Sequence, residues 1–178
     1  MKASVFVGTS VDGFLARKNG AVDFLGGDEC EPHGFEEFYA SVDVVVIGRS
    51  TFEFVVDYGG WAYGKKRIVV LSSQPIDFTI VRNRASDVNV EQMSGDPAEI
   101  VAKLEASGAK HAYIDGGVTI QRFLRAGLIQ RMTITRVPVL IGEGIPLFGP
   151  LGGDVRLQHV KTKNYPSGLV TTEYEVID

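Results

Sequence analysis

The sequence predicts an α/β fold, a mostly parallel central sheet with helices on both faces and an antiparallel C-terminal hairpin. Three observations carry this. Short β-branched runs alternate with amphipathic stretches along most of the chain. The 178 residues, 44% of them apolar, suffice for one buried core, so a single domain over 1–178 is expected. The final segment, 155–177, has no helical pattern and breaks at Pro166-Ser167-Gly168, as a hairpin closing one sheet edge would.

In chain order, strands are expected at "ASVFVG" (3–8), "DVVVIG" (43–48), "RIVVLS" (67–72), "DVNVEQ" (87–92), "HAYI" (111–114) and "RMTITRVPVLI" (131–141). Helices are expected at "GFEEFYASV" (34–42), "STFEFVV" (50–56), "DPAEIVAKLEAS" (96–107) and "VTIQRFLRAG" (118–127). The third has the fullest punctuation, with Asp96 as N-cap, Pro97 at the first helical position, Glu99 in the first turn and Gly108 just past the end. "IGEGIPLFG" (141–149) reads as a loop, and no repeat or linker interrupts the chain.

A formal charge of −4, with Lys and Arg scattered, gives no footprint for nucleic acid or an anionic membrane. A small-molecule partner is expected. The single cysteine, Cys30, cannot form an internal disulfide, and the start of the chain lacks a basic segment followed by an apolar core, which together point to the cytoplasm. No apolar run approaches the about 18–20 residues that cross a bilayer. His33, His111 and His159 show no metal-ligand spacing, so no metal site is expected.

Parallel strands end on a common rim, where open α/β sheets bind ligands. Three exits there suit phosphate. In "VVVIGRSTFE" (44–53), Gly48 permits close backbone approach, Arg49 offers a planar cation, and Ser50 and Thr51 add hydroxyls and amides at a helix start. "VVLSSQP" (69–75) ends in Ser72 and Ser73 where an NAD-selective Rossmann protein would carry an acid, so serines beside an arginine suit a 2′-phosphate and hence NADP. In "IDGGVTIQRFL" (114–124), Gly116 and Gly117 would let a pyrophosphate meet the amides of Val118, Thr119 and Ile120 at a helix N-terminus, or would simply form a tight strand-to-helix turn. Neither G-x-G-x-x-G after the first strand nor G-x-x-x-x-G-K-[ST] occurs.

These segments resemble the dihydrofolate reductase family. "VVVIGRSTFE" is similar to its v-I-M-G-R-x-T-[WF]-E, "GKKRIVVLSSQP" (64–75) to its G-R-x-N-I-v-L-S-x, and "YIDGGVTIQRFL" (113–124) to its v-I-G-G-x-x-[VI]-Y-x-x-F-L. The resemblance implies a three-layer dihydrofolate reductase-like fold and NADPH as cofactor. It places Gly48, Arg49, Ser50 and Thr51 around the pyrophosphate and 2′-phosphate, Leu71, Ser72 and Ser73 at the adenosine end, and Gly116, Gly117, Val118, Thr119 and Ile120 at the pyrophosphate. It also implies that "TSVDGFLARKNG" (9–20) lies beside the nicotinamide and that Thr135 lies near the substrate ring.

The substrate side departs from the folate enzymes. "AVDF" stands where L-P-W is expected, no acid stands at Gly34 although Glu31, Glu36 and Glu37 are close, and Lys65 stands in place of the tail-binding arginine. "SVDGFLA" (10–16), "GGVTIQRFLRAGLIQRMTI" (116–134) and "PVLIGEGIPLF" (138–148) are similar instead to the reductase domain of bacterial riboflavin-pathway deaminase-reductases and its stand-alone relatives, with Gln130-Arg131 replacing the usual acidic pair. That resemblance implies an NADPH-dependent reductase of a pyrimidine-like or pteridine-like molecule, akin to 5-amino-6-(5-phosphoribosylamino)uracil reductase. Dihydrofolate reductase-type activity and a non-catalytic NADP-binding module are the alternatives.

Three residues are candidates for the substrate side. Asp12 either contacts substrate or nicotinamide ribose, or forms an Asx-type turn in "VDGF". Phe38, like Phe35, is either core or a ring-stacking platform, and Thr135 is either a ligand contact or structural. Trp61, in the glycine-rich "DYGGWAYGKK" (57–66), borders the substrate mouth or covers core. Edge exposure leads to the expectation of a homodimer paired through the C-terminal hairpin or the last long strand.

Overall fold

The computed structural model of the chain describes residues 1–26, 31, 33–58, 61, 63–84 and 87–177; Cys30 lies outside them. The first half comprises β1 (Lys2–Ser10), β2 (Phe14–Ala16), a 3-10 turn (Asp23–Leu25), α1 (Phe35–Ser41), β3 (Val44–Gly48), α2 (Arg49–Asp57), β4 (Arg67–Leu71), α3 (Thr79–Arg84) and β5 (Val90–Met93). The second comprises α4 (Pro97–Ala106), β6 (His111–Asp115), α5 (Gly117–Arg125), β7 (Arg131–Val137), β8 (Ile145–Pro146), β9 (Arg156–Asn164) and β10 (Val170–Ile177).

One 8-stranded sheet has the order β5-β4-β3-β6-β1-β7-β10-β9. Strands β5 through β7 in that order run parallel, and β10 and β9 close the far edge as an antiparallel hairpin. Strand alternation divides the core in two. Val5, Val7, Ala112, Ile114 and Met132 meet Ile100 and Leu104 of α4 and Ile120 and Phe123 of α5. On the opposite face Val45, Ile47, Ile68, Val70 and Tyr113 meet Phe52 and Val56 of α2 and Val81 of α3. Trp61 packs partly buried against that second cluster, its ring edge-on to Phe52 and Tyr63, so it covers core.

Four boundaries differ from expectation. The strand expected over 131–141 stops at Val137, since Pro138 has no N–H to offer a ladder. The strand expected over 87–92 lies at Val90–Met93. Helix α3 was not anticipated; its start is marked by Asp77, whose carboxylate accepts from the Thr79 amide at 2.8 Å. Residues expected as loops pair as the short β2–β8 ladder.

Helix α4 begins as its sequence dictates. Asp96 Oδ1 accepts from the Glu99 amide at 2.9 Å, and the Glu99 carboxylate closes the reciprocal capping box. Asp96→Ala is expected to cost about 1 kcal/mol, read as a Tm about 2–4 °C lower by thermal melt. Among the described residues no helix is long and apolar enough to cross a membrane.

Candidate active site at the strand exits

Parallel register sets Gly48 beside Leu71, and Ile47 beside Asp115, so the exits of β4, β3 and β6 are consecutive on one rim. Helices α2 and α5 start there, capped by Gly48 and Gly116. The two starts interlock. A Cβ on Gly116 would overlap Thr51 Oγ1 of α2, while a Cβ on Gly48 would lie 3.0 Å from Thr119 Oγ1 of α5. Gly116 has φ +89°, a conformation that favours glycine, and a Cβ on Gly117 would meet the Pro146 carbonyl at 3.1 Å and Leu15 at 3.2 Å. The adjacent glycines therefore serve a tight turn and close packing of the chain on itself.

That packing draws two helix N-termini together. The first amides of each helix, from Arg49, Ser50 and Thr51 and from Gly117, Val118 and Thr119, have no i−4 carbonyl and collect partial positive charge. Ile120 does not join them, because its amide donates to Gly116 O at 2.9 Å and closes the first turn. Thr119 and Ile120 bury their side chains, whereas Val118 is 70% exposed at the opening.

Arg49 links this point to the loop after β4. Its Nε donates to Ser72 Oγ at 3.0 Å, and Nη2 donates to the Gln74 and Pro75 carbonyls at 2.7 and 2.6 Å. Nη1 lies 3.4 Å from Glu53 Oε1, the weakest of these contacts, and retains donor capacity. Ser73 is exposed beside this loop. Gln92, which sequence reasoning missed, fastens the loop from β5: Nε2 donates to the Ser72 and Gln74 carbonyls, each at 3.0 Å, and Oε1 accepts from the Ile76 amide at 3.0 Å. Only the β4–β5 register, Val70 beside Gln92, brings it there.

Asp115 is the second residue missed. It ends β6, and its Oδ1 accepts from the Gly116 amide at 2.8 Å. Burial pushes its carboxyl above the usual range, against the opposing pull of hydrogen bonds from Gly116 and Tyr113. The acid directly before Gly-Gly was the available signal.

Each of the three substrate-side candidates has partners within the protein. Thr135 stands beside Gly8 in register, but its hydroxyl is shared with Thr171 Oγ1 at 2.8 Å and both residues are buried. Asp12 is an interloop clasp, accepting from the Gly142 amide at 2.8 Å and the Ile141 amide at 3.3 Å. The Ser10 hydroxyl and these amides hold its carboxyl below the ordinary value. Phe38 stacks on Phe6 with centroids 5.0 Å apart and meets Tyr113 edge-on at 5.1 Å, so protein rings occupy much of its surface. It nonetheless lines a cavity of about 870 Å³ between α1 and the sheet. Above Gly8 sits Leu25 of the 3-10 turn, 3.1 Å from where a Cβ would be. Lys65 pairs with Asp87 at 2.7 Å on the surface.

The profile of the RibD C-terminal domain family matches residues 2–171. The chain belongs to that family. This RibD C-terminal domain is 30% identical over 167 residues to protein YwjB of Bacillus subtilis, covering 92% of each chain. Its structure is similar to that of a Shewanella sp. PV-4 protein assigned provisionally to riboflavin biosynthesis, with TM-score 0.90, 35% identity and both chains covered at 100%. It also resembles dihydrofolate reductase from Enterococcus faecalis, solved with NADP(H), at TM-score 0.64 and 17% identity over 99% of this chain and 97% of that one. The dihydrofolate reductase-like fold expected from the motifs is the fold observed.

Proposed function

We propose that this chain is a cytoplasmic NADPH-dependent reductase acting on a pyrimidine-like or pteridine-like small molecule, akin to 5-amino-6-(5-phosphoribosylamino)uracil reductase. The observation that carries the reading is the interlock of two helix N-termini beside Arg49, which fits a dinucleotide with an additional phosphate. The free amides of α2 and α5 would hold the pyrophosphate. Nη1 of Arg49, with Ser72 and Ser73, would face the 2′-phosphate, with Leu71 at the adenosine end. When bound, NADPH supplies the hydride.

The chain's own residues would then exclude water and manage the proton. Asp115, at the β6 exit beside the two helix starts and with its carboxyl pushed upward by burial, is the acid that would deliver a proton to the reduced ring. Leu25 and the 3-10 turn, braced by the Arg17–Asp23 ion pair at 2.6 Å, would shield the ring from solvent over Gly8. A second reading is a module that binds NADP without turnover, since no acid stands at Gly34 where the folate enzymes carry theirs. NADPH oxidation with pterins or aminopyrimidine ribosides distinguishes the two.

Fluorescence titration tests the cofactor. NADPH is expected to bind more tightly than NADH, and Arg49→Ala to weaken NADPH about 10–100-fold, the range of a lost hydrogen bond to a charged group, while changing NADH far less. Equal loss for both cofactors would remove Arg49 from the 2′-phosphate site.

A further inference from the structure

The central sheet forks toward its ligand rim. Among the described residues β1 pairs with β6 at Lys2, Ala3 and Ser4, opposite His111, Ala112 and Tyr113. Beyond Ser4 the two strands keep different company: β1 follows β7 as far as Ser10, and β6 follows β3 as far as Asp115. Main-chain groups on the facing edges of such a fork lose their ladder partners and need others. The Phe6 carbonyl finds one in a side chain, because Tyr113 Oη donates to it at 2.8 Å.

Asp115 stands two residues beyond Tyr113 on the same strand, so both side chains leave the same face of the sheet. Continued by two residues, the β1–β6 register sets Phe6 opposite Asp115. One hydroxyl therefore reaches both the Phe6 carbonyl and the Asp115 carboxyl. It has a single hydrogen for two acceptors. The Tyr113 ring is 5% exposed and held edge-on by Phe38 at 5.1 Å and Phe35 at 6.3 Å, which leaves rotation about the Cζ–Oη bond as its free motion. Burial pushes the phenol far above its ordinary value, so the hydroxyl keeps its hydrogen. The other groups facing the pair are Tyr39 of α1, Tyr63 before β4, both raised by burial, and the Gly116 amide on Asp115 Oδ1. Arg49 of α2 turns its guanidinium away to the Ser72 loop.

We propose that Tyr113 is a positioning residue for Asp115: its hydrogen rests on the Phe6 carbonyl while the acid holds a proton and turns to the carboxylate when that proton leaves. The balance is simple. The O–H bond of Asp115 breaks as the proton passes to the ring, and the Tyr113 hydrogen changes acceptor without leaving its oxygen. A carboxylate formed in a buried site thus gains a donor at the moment it needs one. The use of this device in turnover rests on the reductase reading, whereas the hydroxyl rotation itself does not.

Tyr113→Phe keeps the ring and removes the hydroxyl. Carbon NMR is expected to place the titration midpoint of the Asp115 carboxyl about one unit higher in the variant, since the charged form loses a hydrogen bond. The high-pH limb of turnover is expected to move up by the same amount with NADPH affinity unchanged, and the substitution is expected to leave the rate of Asp115→Asn unaltered. In the wild type, a measurement that needs no variant to fold, the Tyr113 Cζ resonance is expected to shift with the same midpoint as the Asp115 carboxyl. A carboxyl midpoint that stays or falls, a rate limb that stays while the midpoint moves, or a Tyr113 resonance indifferent to the Asp115 ionisation overturns the proposal. A moved midpoint and coupled Tyr113 resonance in a protein without NADPH-dependent turnover keeps the rotation and removes the reductase reading instead.

Discussion

Gly116→Ala is expected to lower the Tm by about 4–20 °C and to weaken NADPH binding at least tenfold. Two costs combine. A side chain at φ +89° carries about 1–2 kcal/mol, and the added Cβ overlaps Thr51 Oγ1, which forces a shift costing about 1–3 kcal/mol. At about 2–4 °C per kcal/mol for a chain of this length, the melt reads the sum. Binding suffers because Gly116 aims the first amides of α5 and holds them against the start of α2. A double-mutant cycle with Thr51→Ala separates the terms, since it relieves the overlap and leaves the backbone cost. A Tm within 1 °C of wild type for Gly116→Ala, or no recovery in the double variant, would show that the interlock is not what organises the rim.

Asp115→Asn is expected to reduce turnover about 10²–10⁴-fold, the contribution typical of a positioned acid, while raising the Tm near neutral pH by a few degrees. The two effects share one cause. Burial lifts the carboxyl pKa in the folded protein above that of the unfolded chain, so folding favours the protonated form. Stability from this group is therefore present at low pH and is lost as pH rises through the folded value, where a charged carboxylate is left half-buried. Asparagine is neutral throughout and its amide oxygen can still accept from the Gly116 amide. For the wild type, turnover is expected to decline as pH rises through the same ionisation, and in Asp115→Asn that limb of the profile is expected to vanish. Full turnover in the variant with an unchanged profile would sink Asp115 as the proton donor while leaving the cofactor reading intact.

Much of the frame is legible without coordinates because it rests on short-range signals. The β-branched runs "DVVVIG" and "RIVVLS" are buried on both faces in β3 and β4, which is why they show no polar alternation. The capping box of α4 and the Pro166-Ser167-Gly168 turn of the hairpin are local chemistry read correctly from spacing. Helix α3 escaped because six residues give too few turns for a periodic pattern. The β2–β8 ladder escaped because it joins positions about 130 residues apart with only a few residues on each side.

The substrate-side candidates show the same limit more sharply. Thr135 is a mid-strand threonine by sequence, and only the β7–β10 register reveals that Thr171 takes its hydroxyl. Phe38 is an aromatic on an amphipathic helix, and only packing shows Phe6 and Tyr113 against its ring.

By itself the sequence determined the α/β class, the parallel core with its closing hairpin, and the glycines and arginine at the strand exits. Each of these follows from backbone preference or hydrophobic period over a few residues. Only the tertiary structure decided that the two helix starts interlock, that Gln92 secures the serine loop, that Asp115 holds a raised pKa, and that a cavity remains between α1 and the sheet. These depend on which distant strands lie side by side and on how far water is excluded between them, and a residue's neighbours along the chain do not set either quantity.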